Sequence, residues 1–306
     1  MSLAEFKKSR WFKLVWWIPA LLIAFVVVVL VANWLRGLPA VADFIEQYPG
    51  KDPANETATP GFPAWLAWQH VLNAFFILFV IKSGILIRTV KRPAAYWTRN
   101  NTGLLRTKGE PVRISLNHWF HVGIDTLWLL NGIVFYVLLF VTDQWVRIVP
   151  RSWDVFPHAL STAIQYASLH WPAETGWVNY NALQVLAYFA TVFIAAPLAI
   201  ITGLRMVPGL ADRFKPIERI YPVNLARLLH FPIMLYFLLF IFVHVFLVLT
   251  TGAINNLNHM YAIRNDDSWL GLIWFGVSIV VMAVAWVALR PSILTMIASL
   301  GGKVRR

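Results

Sequence analysis

Six stretches of this chain run for about twenty residues or more with almost no charge, and no other feature restricts the fold so tightly. They cover about 14–35, 65–87, 119–141, 180–204, 228–250 and 268–289. An α-helix rises about 1.5 Å per residue, so about twenty residues cross a hydrocarbon core roughly 30 Å thick. Within that core each backbone N–H and C=O needs a partner, which an open segment finds only by becoming helical. The reading is an all-α integral membrane protein with six transmembrane helices, numbered 1 to 6 in chain order.

Composition agrees. The 306 residues are 59% hydrophobic and 13% charged, against roughly 25% charged in a soluble domain. The net charge of +12 would suit nucleic acid if it were clustered on a folded domain. Instead the cations stand in short groups between apolar runs, as membrane topology requires. Lys7, Lys8, Arg10 and Lys13 precede helix 1. Arg88, Lys91, Arg92, Arg99, Arg106, Lys108 and Arg113 join helices 2 and 3. Arg205, Arg213, Lys215, Arg219 and Arg227 join helices 4 and 5, and Arg290, Lys303, Arg305 and Arg306 follow helix 6. That side holds 20 cations; the other holds five, Arg36, Lys51, Arg147, Arg151 and Arg264. The positive-inside rule then places both termini in the cytoplasm and the protein in the inner, cytoplasmic membrane. The first run is too long for a signal-peptide core and lacks an A-x-A-like cleavage site, so it reads as a retained helix. Trp16–Trp17 and the nearby Trp65 and Trp68 fit aromatic belts at run ends.

Three segments are expected: 1–64, an N-terminal helix with an outward loop; 65–252, a four-helix core of helices 2–5; and 253–306, a last helix with a basic tail. Between Arg147 and Val178, Trp153, Phe156, Tyr166, Trp171 and Trp177 mix with Ser, Thr and Gln. That suits an amphipathic piece at the interface or an ordered loop.

The chain has no cysteine. This excludes disulfides, cysteine-held iron–sulfur clusters and covalent C-x-x-C-H haem attachment. It has eight histidines. His158, His170 and His259 fall in outward loops and read as surface residues. His70, His118, His121, His230 and His244 lie in or at the ends of the spans, where polar side chains are costly and usually functional. His230 and His244 are 14 residues apart on helix 5, which is about 21 Å of rise and nearly four full turns, so they share a face at two depths. Neutral imidazole is an axial haem ligand. Helix 2 runs inward and helix 3 outward, so His70 pairs with His244 at the outer depth and His121 with His230 at the inner one. These four are the candidate metal ligands of two non-covalent, bis-His b haems. His118, one turn from His121, is the alternative inner ligand. Gly84 falls on the face of His70 at the inner depth, and Gly132 on that of His121 at the outer depth. Glycine would admit a macrocycle there, or would simply let helices pack closely. For the four histidines the other reading is interhelical hydrogen bonding.

These residues carry a resemblance. Gln69–His70, Leu72–Asn73 and Ser83–Gly84 on helix 2, His121 with Asn131–Gly132 on helix 3, Tyr180 to Gln184 with Pro197 and Thr202–Gly203 on helix 4, and His230–Phe231, His244 and Thr251–Gly252 on helix 5 are similar to the dihaem cytochrome b561-type membrane subunits of respiratory oxidoreductases. The formate dehydrogenase gamma and thiosulfate reductase cytochrome b families are among them. The likeness covers about 65–252. It implies electron exchange through the haems between quinone or quinol and a partner redox subunit, often a molybdopterin oxidoreductase. The chain would then be an electron-transfer subunit of an oxidoreductase complex rather than a complete enzyme. The helix ahead of the first ligand helix departs from that layout and inverts the core by the charge count.

Two intramembrane charges stand apart. Asp125 lies one turn after His121, and Lys82 lies on helix 2 at similar depth. They are expected to pair; alternatively Asp125 relays protons to quinone, or Lys82 meets a haem propionate or snorkels. Arg227, three residues before His230, either neutralises a propionate or is a positive-inside charge. A competing function is an ion-coupled transporter, for which Pro197 and these charges are the pointers. A structural anchor for a peripheral enzyme is a third, and it leaves the matched histidines unexplained.

Overall fold

The computed structural model describes residues 12–55, 59–102, 106, 110–171, 176–207 and 217–306. Lys7, Lys8, Arg10, Lys108, Arg213 and Lys215, used above for orientation, lie outside the described residues. The six expected spans are helices: Val15–Arg36, Ala64–Thr89, Leu116–Val141, Ala182–Met206, Val223–Thr250 and Leu270–Ala288. Helices 2, 3 and 5, at 26, 26 and 28 residues, are about 39–42 Å long and extend past the hydrocarbon into the headgroup layers. Their many exposed Leu, Val, Ile and Phe side chains are what lipid contact requires.

The chain divides into two compact units, 1–59 with 146–188 and 60–145 with 189–306. In the first, the Arg147–Val178 stretch contains a helix, Val155–Ala167. It is turned with His158, Ser161 and Thr162 buried and with Phe156 and Leu160 exposed. The buried polar face closes on Gly50, whose φ of +101° suits glycine. Gly50 N–H donates to His158 Nδ1 at 3.2 Å. Its carbonyl accepts from Ala182 N–H at 2.9 Å and from Thr162 Oγ1 at 3.3 Å. His158 also meets the Tyr48 ring edge-on. It is therefore a buried packing residue, and the expectation that it lies on the surface was incorrect: polar groups of an ordered loop needed a partner. Arg147, 2% exposed, donates to the carbonyls of Val178 and Thr59, and Tyr180 beside it has its phenol pushed up to about 12 by burial, with Arg147 opposing.

In the second unit helix 2 packs on helix 3, and helix 5 packs on Ala196–Met206 of helix 4. Helix 4 widens into a π turn at Ala190–Ala195, just before Pro197, whose missing N–H interrupts the ladder. There Tyr136 Oη donates to the carbonyl of Val192. After helix 6 a short helix, Pro291–Ser299, and strand β3, Gly302–Arg305, return to β1, Tyr96–Arg99, and β2, Arg113–Ser115. The antiparallel sheet has the order β2-β1-β3. A Cβ on Gly302 would sit 2.3 Å from Trp97 Nε1, so β3 can close on β1 only through a glycine. His259 is the second histidine expected outside and found buried. Its Nε2 lies 2.8 Å from Asn265 Oδ1, its ring meets Phe62, and burial holds it below its ordinary value against the Asn265 bond. His170 is exposed, as expected.

Candidate functional site

The second unit brings four of the five membrane histidines together as two facing pairs. His121 of helix 3 faces His230 of helix 5 with ring centres 6.4 Å apart. His70 of helix 2 faces His244 of helix 5 with centres 6.2 Å apart. An imidazole nitrogen binds a transition metal at about 2 Å and sits roughly 1.1 Å from its ring centre, so two imidazoles on opposite faces of one metal have centres roughly 6.2 Å apart. Both pairs match that spacing. Among the described residues no group of three or more His, Cys, Asp or Glu side chains could hold a metal. Two side-chain ligands are too few for a bare ion but suffice for haem, whose macrocycle supplies the other four nitrogens.

The His121–His230 pair lies toward the end of the helices where Arg88, Arg113, Arg205 and Arg227 stand, called the basic end below. Both rings are held in the same way. Ser83 Oγ is 2.8 Å from His121 Nδ1, and Thr202 Oγ1 is 2.7 Å from His230 Nδ1. Each hydroxyl also has the carbonyl of the preceding turn in reach, Phe79 O at 2.7 Å and Leu198 O at 2.7 Å. The hydroxyl hydrogen can go to that carbonyl while the oxygen accepts Nδ1–H. Nε2 then keeps its lone pair for a metal, with ring orientation fixed by the hydroxyl. Neither hydroxyl was identified from sequence as a contact. The signal was present in the dipeptides Ser83–Gly84 and Thr202–Gly203, a hydroxyl followed by a glycine inside an apolar helix.

The glycines beside these hydroxyls leave space at the rings. A Cβ on Gly84 would meet His121 Cε1 at 3.5 Å and Met234 Sδ at 4.0 Å, and one on Gly203 would meet His230 Cε1 at 3.6 Å. These are ordinary contacts with side chains, and a Cβ on Gly132 would meet nothing within 4 Å. None of the three therefore shows a Cβ blocked by the backbone of another helix, and Gly84 and Gly203 lie beside the rings of His121 and His230.

The far pair is framed by aromatic rings. Phe240 stacks on His244 at 5.5 Å with planes 6° apart, and Tyr261 meets His70 edge-on at 5.7 Å. His70 Nδ1 is buried without a hydrogen-bond partner.

The remaining candidates are placed differently. His118 turns to the helix 3 cap, where its Nδ1 is 2.7 Å from Ser115 Oγ, and it is His121 that faces His230. Asp125 Oδ2 is 3.4 Å from His121 Nε2, and its other oxygen is buried without a partner. Lys82 does not pair with Asp125, contrary to the expectation. Its Nζ donates to Trp286 O at 2.9 Å and Leu289 O at 3.5 Å and sits 4.3 Å from the Trp286 ring centre. The end of helix 6 leaves carbonyls without intrahelical donors, and a cation there also meets the negative end of the helix dipole. Those acceptors outcompete a carboxylate on another helix. Arg227 is exposed.

Comparison with known families gives a match to the model described as prokaryotic cytochrome b561 over residues 61–263, well over half of the chain and including all four paired histidines. No curated protein and no solved structure matches.

Proposed function

Because this chain belongs to the prokaryotic cytochrome b561 family, a family that implies membrane electron transfer and haem b, we propose that it is a dihaem electron-transfer subunit. One haem would lie between His121 and His230 and the other between His70 and His244, within a core of residues 65–252. It would exchange electrons between quinone or quinol and a partner redox subunit of the molybdopterin oxidoreductase kind that the resemblance names. The basic end would face the cytoplasm, with the protein in the inner membrane.

The observation that carries this reading is the pair of ring separations, 6.2 and 6.4 Å, at two depths about 21 Å apart along helix 5. Haem supplies one-electron redox chemistry when bound. The chain's own residues do the rest. The imidazoles fix depth, Ser83 and Thr202 orient two of them, Phe240 sets the plane of a third, and the apolar helices exclude water. Nothing found supports the transporter reading: Lys82 is satisfied by backbone carbonyls rather than by Asp125, and helix 4 remains one span through its π turn and Pro197.

The test is a dithionite-reduced minus oxidised spectrum of purified protein with haem counted per chain, followed by single His→Ala changes. Two b haems per chain are expected, with His70→Ala and His244→Ala removing one component and His121→Ala and His230→Ala the other. A folded, haem-supplied preparation without haem would overturn the proposal.

A further inference from the structure

The three-stranded sheet is two-faced, and among the described residues only one face has a structural partner. Trp97, Ile114 and Val304 are cross-strand neighbours. Trp97 and Val304 pack on the core cluster of Phe79, Leu116, Phe120 and Leu294, and Trp97 Nε1 donates to Ala298 O at 2.9 Å. Directly paired residues project to the same side of a sheet, and residues two apart repeat it. The opposite face therefore carries Arg113 and Lys303, both paired with Thr98, and Tyr96 paired with Arg305. Arg113, Lys303 and Arg305 are exposed, and among the described residues none is in an ion pair. Arg113 lies over the Tyr96 ring at 4.2 Å. With strands about 4.8 Å apart and about 3.4 Å of rise per residue, three cations fall within roughly 12 Å of one another. Among the described residues no acid pairs with these like charges, and holding them together costs stability unless an anion is supplied.

Depth identifies that anion. Ser115, the last residue of β2, caps membrane helix 3, and β3 directly follows the amphipathic helix Pro291–Ser299, whose Leu294 and Ala298 are buried while Met296 and Leu300 beside it are 65% and 84% exposed. The sheet thus stands in the headgroup layer with apolar side chains next to its cations, a combination that suits a phospholipid better than an acidic soluble protein. We infer that Arg113, Lys303 and Arg305 form a binding face for anionic phospholipid headgroups, with Tyr96 seated among them. This inference rests on membrane insertion and not on the haem reading.

The test uses the full chain purified in neutral detergent and supplied with mixed phosphatidylcholine and phosphatidylglycerol. Anionic lipid retained after washing is counted by native mass spectrometry. The triple variant R113Q/K303Q/R305Q should retain several-fold less phosphatidylglycerol than the parent, while K91Q/R92Q, which removes two exposed cations of the same helix 2–3 connection, should retain it. Equal retention by parent and triple variant, or equal loss in both variants, would overturn the inference. A measurement on the unmutated protein covers failure of the triple variant to fold. Hydrogen exchange in 96–99, 113–115 and 302–305 should slow with phosphatidylglycerol and not with phosphatidylcholine alone; slowing only with an acidic protein surface, or with neither, also overturns it.

Discussion

Removing the hydroxyl of Ser83 tests the architecture at one atom. In the proposed holoprotein His121 Nδ1–H is donated to Ser83 Oγ, 2.8 Å away. A ligating imidazole is a stronger donor when its metal is oxidised, so this bond stabilises the ferric state more than the ferrous one. A protein hydrogen bond contributes about 1 kcal/mol net, and a tenfold change in a one-electron equilibrium, about 1.4 kcal/mol, corresponds to about 59 mV. If half or more of that bond is differential, Ser83→Ala raises one midpoint potential by roughly 20–40 mV. Only the haem at the basic end should move, because Ser83 does not touch the His70–His244 pair. Thr202→Val should give a shift of the same sign at the same haem through His230. The assay is redox potentiometry in the α-band, with haem per chain measured alongside, since an unsatisfied Nδ1–H also costs about 1–3 kcal/mol of holoprotein stability. A shift at the other haem, or none at either with both haems retained, would refute the reasoning.

Other consequences follow from the same contacts. Gly84→Leu and Gly203→Leu should fold but lose the basic-end haem while keeping the other, as read by haem per chain and by the spectrum of the remaining component. Lys82→Met should leave both haem spectra unchanged and weaken the end of helix 6, costing about 1 kcal/mol of thermal stability with faster hydrogen exchange near Trp286; a changed spectrum would place Lys82 in the haem sites instead. His259 is held below its ordinary value mainly by burial, so its folded form resists protonation. Stability around Asn258–Ala262 should be full above about pH 6.5 and fall as the pH drops below it, seen as faster exchange in 254–266 at pH 5 than at pH 7.5.

Much of this could be read from the sequence because the membrane imposes periodic rules. Apolar length gave the six spans, and the 3.6-residue turn put His230 and His244 on one face. Alternating helix direction then pointed to the pairing whose rings now stand 6.2 and 6.4 Å apart. What stayed hidden depends on partners remote in sequence. His158 and His259 lie in polar connections between spans, on short helical segments, and only tertiary packing decides whether such a residue faces water. Lys82 is satisfied by backbone carbonyls at residues 286 and 289, and a carbonyl acceptor leaves no mark in a sequence. The sheet unites strands of three and four residues, too short to register as alternation, and its β1–β3 partners are more than two hundred positions apart, from Arg99↔Gly302 to Tyr96↔Arg305.

The arrangement is coherent as a response to one cost. An imidazole in hydrocarbon has two polar nitrogens to satisfy, and leaving either unpaired is unfavourable. At the basic end Ser83 and Thr202 answer for Nδ1 on both rings while themselves using carbonyls of their own helices, so the polar chain closes without water. The two Nε2 atoms are not answered by each other, since a ring separation of 6.4 Å is too wide for two imidazoles to share a hydrogen bond through those nitrogens; it suits a metal between them, although Asp125 Oδ2 also stands 3.4 Å from His121 Nε2. Four histidines kept at these distances, with Gly84 and Gly203 beside the basic-end pair, would be a poor way to join helices. Under the proposed function the same features would hold two flat, metal-centred groups, and helix 5, which carries one histidine of each pair, would tie the two depths together.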